Sequence, residues 1–400
     1  MPSLIAWLDA SAEEQRRMRD IIRLFADRES RDELGLGQLR DGIADLLFPG
    51  TSTLLTRARY LLFVPWVYQL AARSSDPVSR ADRLERELIS TIKGTDDYAG
   101  LLGMQAGVAL KTLPSSIYWS MLRHYGVLGA PTLSREDALR MDGMRLAVED
   151  DAPNARFAAW SHSLPTAPDG FPGTAEGGFA LRREEAAWLR DRILDAAPGT
   201  YFAHLTSVAP QADSPTPWSD PAARELEPEL SRLLAHARSF SAVMHGAQLI
   251  YNLMIAEQYE AAGLERVAEP AAQYRSELDD WEQRYPDIVD LSRWDHDELI
   301  ARVEIERGSP IHPSTRRFVD GWLKILRDRP VSLAASEEAR RLVTTRERQN
   351  KGAQSRLNNP RRLPGWGGGS GAGELVFRWP TVRGILRDLH DGLSRQALDA

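Results

Sequence analysis

Nine consecutive residues, Tyr60 to Tyr68 (YLLFVPWVY), carry no charged or amide side chain. A helix that rests on a core with one face keeps a polar face for water, and a helix without one must be surrounded by protein. The run falls well short of the ~20 apolar residues of a membrane span, so it is expected at the centre of a packed domain, with no membrane partner. Thr51, Ser52 and Thr53, just after Pro49-Gly50, are placed to cap such a helix from Thr53 to Ala72, with Pro65 kinking it.

The rest of the chain also reads as helical. From Pro228 to about Ala262, Leu230, Leu233, Leu234, Ala237, Phe240, Met244, Ala247, Tyr251 and Met254 recur at helical spacing, marking the longest helix. Shorter helices are expected around Ser11–Phe25, Leu39–Leu47, Leu84–Ile92, Ser116–Tyr125, Arg182–Ala196, Phe318–Leu326 and Val382–Leu393. Only Tyr201–Val208 and Leu375–Trp379 read as strands. The fold class is therefore mainly α, with two packed helical subdomains and little β structure. Two Pro-rich passages suggest a linear division: an N-terminal helical domain (1–150), a connector (151–225) and a C-terminal helical domain (226–400).

The 400 residues include no cysteine, which excludes disulfides, thiolate metal sites and cysteine nucleophiles. The absence of disulfides and of a signal peptide points to the cytoplasm. The eight histidines are scattered, H-E-x-x-H and G-x-S-x-G are absent, and the glycines lack the P-loop order, so no catalytic residue, metal site or cofactor is indicated.

Charge is the stronger signal. Between Arg340 and Arg362 stand eight Lys or Arg against one acid, Glu347: +7 in a chain of net −7, which leaves −14 elsewhere. Arg346, Arg348, Lys351, Arg356, Arg361 and Arg362 are candidate phosphate ligands, Asn358 and Asn359 candidate sugar or base contacts, and Trp366 a candidate stacking platform. The competing reading docks the segment on residues 269–300, which hold ten acids and three arginines.

Two further constellations invite the same question. Thr51, Ser52, Thr53, Arg57 and Arg59 gather donors and charge at an expected helix start, an anion-binding arrangement; the alternative is a cap with ion pairs to Asp41 or Asp45. Lys111, Ser115, Ser116 and Tyr118 have the spacing of a helix-turn-helix, whose second helix enters a DNA groove; ordinary helix packing explains the same pattern.

Two groups of blocks carry a resemblance. The first is Arg31-Asp32-Glu33-Leu34-Gly35-Leu36-Gly37, Phe48-Pro49-Gly50-Thr51-Ser52, Arg57-Ala58-Arg59-Tyr60 and Pro65-Trp66. The second is Arg356-Leu357-Asn358-Asn359-Pro360, Trp366-Gly367-Gly368 and Arg378-Trp379. Together they resemble those of a bacterial family catalogued as domain of unknown function 6361, and the likeness runs nearly end to end. The resemblance implies a setting among phage-defence or DNA-processing assemblies, with protein partners there, and it supplies no activity or catalytic residue. Nucleic-acid binding is the expected function. A non-catalytic scaffold whose basic segment pairs internally or with an acidic partner, and a nuclease or hydrolase without a recognisable motif, are the alternatives.

Overall fold

The computed structural model describes residues 32–148, 158–328 and 332–396, which fold into helices joined by turns and irregular loops. The helices are α1 (Gly37–Leu47), α2 (Tyr60–Ala71), α3 (Pro77–Lys93), α4 (Pro114–His124), α5 (Arg135–Val148), α6 (Arg183–Ala196), α7 (Tyr201–His204), α8 (Pro228–Ala261), α9 (Pro270–Ile288), α10 (His296–Arg307), α11 (Pro313–Asp328), α12 (Glu337–Lys351) and α13 (Trp379–Ser394). The fold is all-α. The helix expected at Ser11–Phe25 lies outside the described residues. Neither expected strand forms: Tyr201 opens a helical turn whose cap is Thr200, and Leu375–Phe377 is irregular. The described residues contain no strand, only an isolated bridge between Leu128 and Trp160.

The chain divides into two compact units that are not consecutive in sequence. One joins the residues up to Ile43 with Arg232–Phe377, and the other joins Ala44–Ser231 with the residues from Arg378 on. This division differs from the linear one read from the Pro-rich passages, because the segments that complete each unit come from far along the chain.

In the Ala44–Ser231 unit α2 is buried along its length, with Leu61, Leu62, Phe63 and Val67 at 2% exposure or less. Aromatic rings surround it: Tyr60 meets Tyr118 and Phe179, and Phe63 stacks on Phe171. The helix continues through Pro65 but starts later than expected, at Tyr60. The N–H groups just ahead of Tyr60, which would otherwise extend the helix, go to distant side chains instead. The Tyr118 hydroxyl accepts from the Thr56 and Arg57 amides, and Asp388 accepts from that of Ala58.

Beside it, the buried Glu85 of α3 anchors the start of α4, accepting from the Ser115 amide and hydroxyl, both at 2.8 Å. Burial pushes the Glu85 carboxyl up to about 7, against the bonds from Ser115. The folded state therefore holds a proton that the unfolded chain has released, and this contribution to stability falls as pH rises from about 4.5 through 7. At 1.36 kcal/mol per pH unit over about 2.5 units the loss is about 3 kcal/mol. Glu85→Gln should keep both contacts, since the serine hydroxyl can accept from the amide, and should abolish this decline. Urea midpoints at pH 5 and pH 8 check it; parallel pH profiles for the two proteins would contradict it.

The other unit is built on α8, whose Val243, Met244, Ala247, Ile250 and Leu253 are fully buried. Two tryptophans fix their helices to it through adjacent carbonyls: Trp281 of α9 donates to Ala242 (2.7 Å) and Trp322 of α11 to Val243 (2.8 Å). Gly246 is required there, because a Cβ would overlap the Trp281 ring. Asp32 caps α1 by accepting from the Leu36 and Gly37 amides.

Candidate nucleic-acid interface

The basic segment begins on α12, which starts at the Ser336 cap and stops at Gly352. Ala339, Val343, Arg346 and Glu347 face inward, at spacings of four, seven and eight residues. Two of these four are ionic, and both are fully used.

Glu347 has no exposed surface and accepts four hydrogen bonds. One oxygen takes the Tyr251 hydroxyl (3.0 Å) and the Arg356 amide (2.7 Å); the other takes the Ser355 hydroxyl (2.6 Å) and the Leu357 amide (3.1 Å). The lone acid of the segment thus folds the chain after α12 back onto it.

Arg346 is 4% exposed. Its guanidinium donates to the Leu34 and Gly35 carbonyls and to the Ser314 and Thr315 hydroxyls, at 2.6–2.9 Å, and lies over the Phe318 ring. Burial lowers its pKa, with Asp32 opposing. A Cβ at Gly35, which has a φ of +64°, would overlap this guanidinium. The turn from Asp32 to Gly35 is therefore shaped around Arg346.

Glu33 binds Arg356 (2.9 Å) and Lys351 (3.2 Å), and Glu257 binds Arg340 (2.7 Å). Burial works against the Arg356 charge, but Glu33 and Tyr251 hold its pKa above the ordinary value. Among the described residues the segment's ion pairs run to Glu33 and Glu257, not to residues 269–300, so the competing dock on that stretch does not form there.

Trp366 is also corrected. It is wholly buried, edge-on to Tyr259 and close to Tyr274, and offers no face for a base. The glycine loop after it is tied down. Tyr274 donates to the Gly368 carbonyl, and the buried Asn252 amide pairs with both backbone groups of Ser370 as a neighbouring strand would. Asn359 caps the turn at Pro360–Gly365 by accepting from the Arg361 amide, and Asn358 donates to Ser355 while remaining exposed.

These pairings leave Arg341, Arg348, Arg361 and Arg362, all exposed and without a side-chain partner among the described residues. Arg341 was missing from the sequence candidates, although its seven-residue spacing from Arg348 puts the two on one face of α12.

The other two constellations resolve as structure. Residues 51–59 form turns rather than a helix start, and the Thr51 hydroxyl donates to the Phe48 carbonyl. Ser52 is half-buried and Thr53 exposed. Arg57 is bidentate to Asp97 (2.7 and 2.8 Å) and also binds Asp388 (2.9 Å). Burial opposes the Arg57 charge, but these carboxylates outweigh it and hold its pKa above the usual range. Arg59 is 1% exposed, bound to Glu185 (3.0 Å) and to the Glu176 and Gly178 carbonyls. The ion pairs of the alternative reading form, but with Asp97, Asp388 and Glu185; Asp45 pairs with Arg378 instead.

In the helix-turn-helix candidate, Ser115 and Tyr118 are buried and committed to Glu85 and to residues 56–57, so they cannot face a groove. Ser116 and Lys111 are exposed. Among the described residues no three His, Asp or Glu side chains gather as a metal site would need, and no helix is long and apolar enough to cross a membrane.

A family model described as a family of unknown function, DUF6361, matches residues 2–392. No curated protein and no solved structure matches the chain.

Proposed function

The chain belongs to the DUF6361 family, and on that premise we propose that it binds nucleic acid through backbone phosphates, as a non-catalytic cytoplasmic component of a bacterial phage-defence or DNA-processing assembly. The observation that supports this is the partition of the basic segment. Arg340, Arg346, Lys351 and Arg356 serve the fold, while Arg341, Arg348, Arg361 and Arg362 stay exposed within 22 residues whose one acid is buried. Local positive charge is thus left unneutralised on an ordered scaffold, in a protein that is acidic elsewhere. Arginine heads of this kind bind phosphates irrespective of sequence, with the exposed Asn358 as a neutral neighbour.

The test is fluorescence anisotropy with labelled single- and double-stranded DNA and RNA of ~20 nucleotides at ~50 mM salt, where phosphate contacts are strongest. Changing all four arginines to alanine should weaken binding about a hundredfold or more. It should leave the unfolding midpoint within about 0.5 kcal/mol of the parent, because exposed side chains away from packing contribute little. A control lacking four exposed cations of the other unit, Arg73, Arg83, Lys93 and Lys111, should bind like the parent. Equal loss in both variants would mean diffuse attraction and defeat the assignment.

A further inference from the structure

A groove of about 590 Å³ opens in the Ala44–Ser231 unit, where α4 and α6 end. Its walls follow from the sequence. Gly126 (φ +63°) stops α4 just after Arg123 and His124, and residues 127–129 then run beside 159–161. The Gly129 amide donates to the Ala159 carbonyl and the Ser161 amide to that of Val127, which brings the buried Trp160 and the exposed His162 into the lining. Arg192 and Asp195, near the C-terminal end of α6, complete it.

The chemistry of the lining is one-sided. Arg123 is exposed with no side-chain partner among the described residues, and His162 is exposed. Arg192 binds the groove's one acid, Asp195, through a terminal nitrogen at 2.7 Å, while its Nε is buried without an acceptor. The Trp160 indole N–H is likewise buried and unpartnered, in a side chain 2% exposed. Both orphans are donor-only groups, and a buried donor without an acceptor costs about 1–3 kcal/mol. Cations at helix C-termini are also drawn there by the helix dipole. That explains Arg123, in the last turn of α4, but not Arg192, which lies ahead of the last turn of α6, and it leaves the indole unexplained.

We infer that this groove binds a small phosphate-bearing ligand of nucleotide size. A phosphate brings three strong acceptor oxygens and the matching charge. The volume lies within the roughly 300–1,000 Å³ of small-molecule sites, and Leu128, Pro131 and Ala158 give the apolar wall that a ring needs. The site belongs to the other unit from the exposed arginines and does not depend on them.

Calorimetric titration of the full-length protein with adenosine 5′-monophosphate, inorganic phosphate and adenosine tests this. The monophosphate should bind with Kd below about 1 mM, phosphate more weakly, and adenosine not measurably. Arg123→Ala removes an exposed head, and Trp160→Phe keeps a ring while deleting the donor; each should weaken the monophosphate about tenfold, with thermal unfolding confirming that both are folded. The variant lacking Arg341, Arg348, Arg361 and Arg362 should keep full affinity; loss there would move the phosphate to those arginines and overturn the groove assignment. No binding of the monophosphate, equal binding of adenosine, or unchanged affinity in both groove variants would overturn it as well.

Discussion

Glu347→Ala is expected to be among the most damaging single changes in the protein. It strands two hydroxyls and two amides that now share one buried carboxylate. Each unsatisfied donor costs about 1–3 kcal/mol, so even with water entering the gap the loss should be about 4 kcal/mol. The effect should also be local: residues 352–362 should gain proteolytic susceptibility before the rest of the chain, since Glu347 holds them against α12. Glu347→Gln keeps one accepting oxygen and turns the other into a donor, so it should fall between parent and alanine. Urea unfolding and limited proteolysis measure both. A Glu347→Ala protein within about 1 kcal/mol of the parent, smaller than a single stranded donor should cost, would show that the carboxylate does not organise the segment.

Arg59→Met should cost about 3–5 kcal/mol, the usual result of leaving one charge of a buried pair alone. Arg59 and Glu185 have side-chain exposures of 1% and 5%, so solvent cannot relieve the stranded carboxylate. Adding Glu185→Gln should recover most of the loss. Glutamine removes the charge and still accepts from the Arg182 amide, which Glu185 does at the start of α6. Nucleic-acid affinity should not change in either variant while it is folded. A double variant no more stable than Arg59→Met would contradict the pairing, and reduced affinity in a stable Arg59 variant would restore the anion-ligand reading.

What the sequence could and could not disclose follows from the range of each interaction. The buried course of α2 and the extent of α8 rest on apolar spacing within a few turns, and both are legible. The start of α2 is not, because the amides just ahead of it are taken by groups 62 and 330 residues away, on Tyr118 and Asp388. Charge counting located the basic segment but not its division of labour. Arg346 and Arg348 differ in sequence only by position, and Arg346 turns inward because the Leu34 and Gly35 carbonyls, over 300 residues away, satisfy it. Trp366 in a glycine-rich stretch reads as exposed, but it is buried against Tyr259 and Tyr274, which come from distant parts of the chain. The groove beside Trp160 was hidden for the same reason: Arg123, Trp160 and Arg192 are brought together by chain reversals, not by a shared motif.

The measurement that bears most directly on the central claim is the salt dependence of duplex DNA binding, from about 50 to 200 mM monovalent salt. Each phosphate contact contributes about −0.9 to the slope of log K against log salt concentration. If Arg341, Arg348, Arg361 and Arg362 each engage a phosphate, replacing all four with alanine should make the slope shallower by about 3 to 4 units. The control without Arg73, Arg83, Lys93 and Lys111 should retain the parental slope. A parent protein with no measurable affinity at the lowest salt, or a fourfold arginine variant with an unchanged slope, would contradict the account.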